Sequence, residues 1–220
     1  MPMTTVTQQN VVLLGDSVFD NGAYVSGGRT VYGHLQPRLP KGWQATLLAV
    51  DGHTARDVSR QLVRLPPNAS HLVISVGGND ALGQMNVLSE KAQSMTDALN
   101  RMAAVSEAFQ RSYQKMLEEV LAHGLPTALC TIYYPRFPDP TMQRLAVTAL
   151  APFNDSIILE AFRAGIPLLD LRLICDDAAD YANPIEPSVK GGEKIATAIA
   201  TLLREHDFAS SRTEVFTSGR

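Results

Sequence analysis

The sequence predicts a doubly wound, three-layer α/β/α sandwich, flavodoxin-like, with five parallel strands. Two observations carry this. Five short runs rich in Val, Leu and Ile are apolar throughout rather than alternating, as strands covered on both faces must be. Between them lie stretches whose apolar residues recur at steps of three and four, the spacing of helices that lay one face on a sheet. Strands alternating with helices give a parallel sheet with right-handed crossovers, and ligands in such sheets bind beyond the carboxyl ends of the strands. The 220 residues fit one such domain, a size at which roughly 70% of the unfolded surface is buried.

The strands are expected at 11–15 (VVLLG), 45–50 (ATLLAV), 71–78 (HLVISVGG), 127–134 (TALCTIYY) and 166–172 (IPLLDLR). The clearest helix covers 95–121, where Leu99, Met102, Val105, Phe109, Tyr113, Met116, Leu117, Val120 and Leu121 make one stripe. Ser94, with Asp97 three residues on, forms a capping box ahead of it. Further helices fit 141–164 and 188–205, the latter with Ile195, Ile199, Leu202 and Leu203 on one side. The domain is assigned to 1–205. Residues 206–220 have little periodicity and read as a mobile tail or an arm packing on a neighbour.

Composition excludes several classes of function. The chain is 45% hydrophobic and 19% charged with a net charge of −3, and no stripe of Lys or Arg suits a nucleic acid. The N-terminal MPMTTVTQQN lacks the apolar core of a signal peptide. No run approaches the ~18 apolar residues of a membrane span, so a cytoplasmic protein is expected. Cys130 and Cys175 make neither a disulfide framework nor a zinc site. They read as buried free thiols near strand ends, with a disulfide or a reactive thiol as the other readings. No metal cluster and no cofactor motif appears.

GDS after the first strand places Ser17 at a carboxyl end, beside a helix N-terminus whose free N–H groups favour a developing anion. The alternative is a serine that only caps a helix. The G-x-S-x-G nucleophile elbow is absent. GGND after the third strand presents Asn79, either toward the same edge or as the brace of a loop.

Taken together, LLGDS after the first strand, AVDGHTARD after the second, VGGNDA after the third and PSVKGGEKIA near the end resemble the SGNH, or GDSL, hydrolase family over residues 11–205. The resemblance implies a serine ester hydrolase that needs no metal or cofactor and acts on a small-molecule ester. It implies Ser17 as nucleophile, with Gly52 and Asn79 in the oxyanion hole and Asp16 in support. The departure lies at the base. The family pattern is Asp, two residues, His, then often Pro-Ser; aligned on Pro187-Ser188, this chain offers Asn183 and Glu186.

Topology removes three histidines from consideration as a substitute. His71 opens the third strand, roughly 20 Å from Asn79 at ~3.3 Å per residue, and His123 lies at that same amino edge. His206 follows a helix of about 18 residues, roughly 25 Å away. His34 and His53 remain as pocket residues or alternative bases. Glu186 is the leading candidate, because a carboxylate can take the serine proton. An unperturbed Glu is a weak base, with a pKa of about 4.3 against about 6.5 for His, and burial raises it toward the working range. Asn183 fits the exchange, since a neutral amide can hydrogen-bond the carboxylate where an aspartate would repel it. The competing reading makes Glu186 a cap of the last helix. Asp20, Tyr133, Tyr134, Arg136 and Phe137 are candidates for the rim, with Arg136 suited to an anionic substrate. A silent binding protein and an acyltransferase are the alternatives to hydrolysis.

Overall fold

The computed structural model describes residues 9–217. The N-terminal stretch read above for a signal peptide therefore lies mostly outside the described residues. The strands are β1 (Gln9–Gly15), β2 (Trp43–Leu47), β3 (His71–Ser75), β4 (Thr127–Cys130), β5 (Leu168–Leu169), β6 (Tyr181–Asn183), β7 (Glu186–Pro187) and β8 (Val215–Phe216). The helices are α1 (Val31–Leu35), α2 (Val58–Leu62), α3 (Gly78–Leu82), α4 (Met95–Leu121), α5 (Pro140–Ala164), α6 (Leu171–Ile174) and α7 (Val189–Glu205).

The main sheet runs β2-β1-β3-β4-β5-β8, with every pairing parallel. Its first five strands have the flavodoxin-like order, whose switch point lies between β1 and β3. Successive residues of β1 serve both layers. Val11 and Leu13 join α1, α6 and α7 in one core cluster, while Val12 and Leu14 join α2, α4 and α5 in the other. All four are fully buried, which is why the run lacks polar alternation.

The sixth strand corrects the expected tail. Leu168 N and Asp170 N donate to Glu214 O and Phe216 O at 2.9 Å each, so residues 215–216 complete the sheet edge. The later strands are also shorter than their apolar runs. Beyond Cys130, the N–H and C=O of Ile132 are taken by the Asn154 side chain on α5, at 2.7 and 2.9 Å. The chain leaves the ladder there and turns over the carboxyl edge. A short antiparallel hairpin, β6–β7, was not expected.

The long helices end near where the sequence places them. Ser94 accepts from Asp97 N at 3.1 Å, while the Asp97 carboxylate takes Gln93 N and Arg101 rather than closing the box on Ser94 N. By length and composition α5 is apolar enough to cross a membrane. Here it packs on α4, with Leu150, Phe153, Ile157 and Ala161 buried.

Candidate active site

The site begins at Gly15. Its φ of +127° suits only glycine, and a Cβ there would lie 1.8 Å from Ser75 O on the neighbouring strand. That approach brings Asp16 N to Ser75 O at 3.1 Å and throws Ser17 beyond the carboxyl end of β1. Asp16 closes the following turn. Its Oδ1 accepts from Val18 N, and its carbonyl accepts from Phe19 N and Asp20 N. The expected helix after Ser17 is this single turn only; α1 starts at Val31. Asp16 is buried, which pushes its carboxyl up to about 8, with the nearby Glu186, Asp80 and Asp51 adding to the rise.

Glu186 arrives from the far end of the chain. Ser17 Oγ donates to Glu186 Oε1 at 3.0 Å, across 169 residues of sequence. Both side chains are buried, and Glu186 Oε2 has no partner among the described residues. Burial pushes the Glu186 carboxyl up to about 7, the serine hydrogen bond pulls against this, and Asp51 adds to the rise. Capping of α7 falls instead to Ser188, whose Oγ accepts from Gly191 N.

Asn183 acts differently from the expectation. It is exposed, and its Oδ1 accepts from Ile185 N at 2.9 Å and Glu186 N at 3.0 Å. It therefore shapes the hairpin backbone and makes no bond to the carboxylate. Tyr133 Oη donates to Ile185 O at 2.6 Å, Arg136 N to Pro184 O at 2.7 Å, and Ser188 N to Asp180 O at 2.8 Å. Those bonds hold the β6–β7 hairpin from three sides.

The first turn of α3 carries Asn79, and its Nδ2 donates one proton to His53 O at 2.9 Å. Gly52 sits in the turn closed by His53 N donating to Val50 O, with a φ of +80° that favours glycine. Among the described residues the N–H groups of Ser17 and Gly52 have no hydrogen-bond acceptor.

Asp16, Ser17, Asn79 and Glu186 open onto a cavity of about 110 Å³, room for roughly four water- or methylene-sized groups at about 30 Å³ each. Its wall is apolar: Leu82 and Met85 after Asn79, Met102 and Val105 on α4, and Leu150 and Phe153 on α5 supply much of it. Tyr133 and Phe137 line it as expected.

Other expected pocket residues lie elsewhere, and Gly52 itself is not part of the cavity wall. His34 is buried on α1, which packs against α7. The His53 ring faces Gln61. Tyr134 contributes its carbonyl to Tyr181 Oη, and Arg136 lies over the Tyr181 ring, 5.6 Å from its centroid, donating to Asp176 O. Asp20 accepts from Asp51 N at 3.1 Å. Alternating directions explain the 133–137 loop, since a residue turned to the cavity leaves its neighbours turned away. His71 packs between Trp43 and Phe208, and His206 meets Glu214. The cavity wall was missed because Met102 and Val105 share the α4 stripe that packs on the sheet. Their position ahead of Phe109, beyond the sheet edge, was the available signal.

A serine within hydrogen-bond reach of a buried carboxylate, at the switch point of such a sheet, is the arrangement that a hydrolase with a serine nucleophile needs. Residues 13–193 match the GDSL-like lipase/acylhydrolase family, and the chain belongs to that family. No curated protein matches it by sequence. Among solved structures it is similar to an extracellular lipase from Streptomyces rimosus, with 18% identity over 86% of this chain and 97% of that one and a TM-score of 0.61. The carbohydrate acetylesterase Est24 from Sinorhizobium meliloti gives 12% identity, 89% and 98% coverage and a TM-score of 0.62. The acetyl xylan esterase AlAXEase gives 16% identity, 90% and 100% coverage and 0.66. These likenesses carry the fold, and the family makes the chain an ester hydrolase.

Proposed function

We infer that the protein cleaves neutral esters with an apolar acyl group through an acyl-enzyme on Ser17, with Glu186 as the base. The observation that carries this reading is the 3.0 Å hydrogen bond from Ser17 Oγ to a buried Glu186 carboxylate pushed up to about 7. A base works best when its pKa lies near the working pH, and burial brings a carboxylate there without a histidine.

In the first step Ser17 Oγ attacks the ester carbonyl while Glu186 Oε1 takes the hydroxyl proton. The charge on the carbonyl oxygen is met by the Asn79 amide and by the N–H groups of Ser17 and Gly52. Glu186 then returns the proton to the departing alkoxide, leaving the acyl group on Ser17. In the second step water attacks the acyl-enzyme while Glu186 accepts its proton; the bond from the acyl carbon to Ser17 Oγ then breaks, Glu186 passes that proton to Oγ, and the carboxylic acid is released with Ser17 and Glu186 restored.

Two features support the substrate class. The cavity beside Ser17 is walled by aliphatic and aromatic side chains, where each buried methylene is worth about 0.8 kcal/mol. Asp20, Asp51 and Asp80 stand around the carboxyl edge, Asp16 and Glu186 add charge only as pH rises past about 7 to 8, and the nearby Arg136 is turned away. That surplus of carboxyl groups disfavours an anionic substrate.

A p-nitrophenyl ester series from acetyl to dodecanoyl tests the reading. We expect kcat/KM to rise from acetyl to a maximum at medium chain length and to vanish in Ser17→Ala. Turnover that persists in Ser17→Ala excludes the serine mechanism, and a preference for acetyl excludes the cavity as the acyl site. Adding an alcohol acceptor and measuring the new ester separates transfer from hydrolysis.

A further inference from the structure

Gln61 stands on α2 and is 1% exposed. Its amide lies against the backbone of Gly15: Oε1 accepts from Gly15 N at 2.8 Å, and Nε2 donates to Gly15 O at 2.8 Å. A backbone N–H only donates and a carbonyl only accepts, so the orientation of this amide follows from its partners. The second Nε2 proton then faces His53 Nδ1 at 2.9 Å. An amide nitrogen offers no lone pair, so Nδ1 must accept, and the neutral ring carries its proton on Nε2. On its other side, the His53 carbonyl accepts from Asn79 Nδ2 at 2.9 Å.

One buried side chain thus touches both halves of the reacting centre. Gly15 sets the direction of the turn bearing Ser17, and His53 follows Gly52 while anchoring Asn79. All four hydrogen-bonding capacities that matter are engaged: the Gly15 N–H and C=O and both protons of Nε2. A buried amide with this many fixed partners is rigid, because leaving any of them unpaired carries a desolvation cost.

We propose that Gln61 is a positioning residue for ester hydrolysis, tying the nucleophile turn at Gly15 to the oxyanion loop at His53 and so fixing Ser17 relative to Asn79. This rests on the reading of Ser17 as nucleophile. Misplacement of about 1 Å can cost ~10²-fold in rate, so the effect of losing the clamp falls on kcat. Substrate binding in the apolar cavity, which Gln61 does not line, stays nearly unchanged.

The test combines kinetics with the tautomer of His53 in the full-length chain. With histidine-selective ¹⁵N labelling at pH 8.5, where ordinary imidazoles are neutral, the wild type should show His53 protonated on Nε2. The signal is assigned by its loss in His53→Gln. Gln61→Met, which keeps the length and removes the amide, should populate both tautomers and lower kcat by ~10- to 100-fold with KM within about twofold. Gln61→Asn, one methylene short, should restore neither. A wild-type His53 protonated on Nδ1 overturns the proposal, as does a Met variant with wild-type kcat or with a loss confined to KM. If Gln61→Met does not fold, the wild-type tautomer still decides. Because that signal needs no turnover, a dead wild type with the expected tautomer would sink the hydrolase reading and leave the clamp standing.

Discussion

Replacing Glu186 by Gln should remove activity and at the same time relieve the protein of a destabilising charge at alkaline pH. The side chain keeps its shape, and its carbonyl oxygen can still accept from Ser17 Oγ, but it cannot take a proton. Loss of a general base lowers kcat by ~10²- to 10⁴-fold. The stability effect follows from the raised carboxyl. Glu186 holds its proton up to about 7 in the folded chain, against an ordinary 4.5, so between those pH values the native state binds more protons than the unfolded one. Stability therefore falls as pH rises through that window. At about 1.4 kcal/mol per pH unit, the loss from this group is about 3 kcal/mol at most. The Gln variant lacks it. The amide nitrogen that replaces Oε2 sits unpaired in a buried place and costs about 1–3 kcal/mol, equally at both ends of the pH range. Thermal melts of wild type and variant at pH 5 and pH 8.5 cancel that term. The difference in Tm should move in favour of the variant by up to roughly 10 °C between the two pH values, at about 2–4 °C per kcal/mol. Asp16, pushed up to about 8 chiefly by burial, gives a slope of the same sign that persists in the variant, reduced by the loss of the Glu186 charge that adds to its rise. A variant with near wild-type kcat, or with the same pH slope of Tm as the wild type, refutes the reasoning.

Four further outcomes are expected. Ser17→Ala should abolish turnover with the circular dichroism unchanged; it also deletes the hydrogen bond that lowers the Glu186 pKa, so the pH at which melting stability declines should move upward. Asn79→Ala should lower kcat by ~10²-fold with a smaller change in KM, because its hydrogen bond strengthens as the oxyanion forms; steady-state kinetics on one ester decides this. Ala149→Phe, which adds bulk to the cavity wall, should lower kcat/KM for an octanoyl ester by ~10-fold or more while leaving the acetyl ester within about threefold, each displaced methylene being worth about 0.8 kcal/mol. Gly15→Ala should destabilise the fold by about 4 kcal/mol or more, read by chemical denaturation, since its Cβ meets Ser75 O at 1.8 Å.

What the sequence revealed depended on how local the cause was. The boundaries of α4 and α7 were legible because Ser94 and Ser188 cap them within three residues. β1 was legible because both of its faces are buried. The end of β4 was not, since the amide that replaces its ladder comes from Asn154, 22 residues on. β8 escaped because a two-residue strand has no periodicity to detect. At the site, motif order and the position of Pro187-Ser188 pointed to Ser17, Asn79 and Glu186, and the fold brings the three to one cavity. The role of Asn183 was misread, although Asn-Pro is itself a turn signal and its carbonyl serves the next backbone N–H groups. The apolar cavity was invisible, because it exists only where α4 and α5 overhang the carboxyl edge together. Gln61 gave no signal beyond being polar on a short helix.

The central claim is that Glu186 activates Ser17. The most direct measurement is the rate at which a fluorophosphonate modifies Ser17, followed by intact mass from pH 5 to pH 9. The reaction consumes the serine nucleophile once and needs no second step, so its pH dependence reports the base alone. The account predicts a rate that rises through a single midpoint near 7, the value to which burial brings Glu186, and that drops by ~10²-fold or more in Glu186→Gln. A midpoint near 4.5, a rate unchanged in the Gln variant, or no modification of Ser17 at any pH would contradict it.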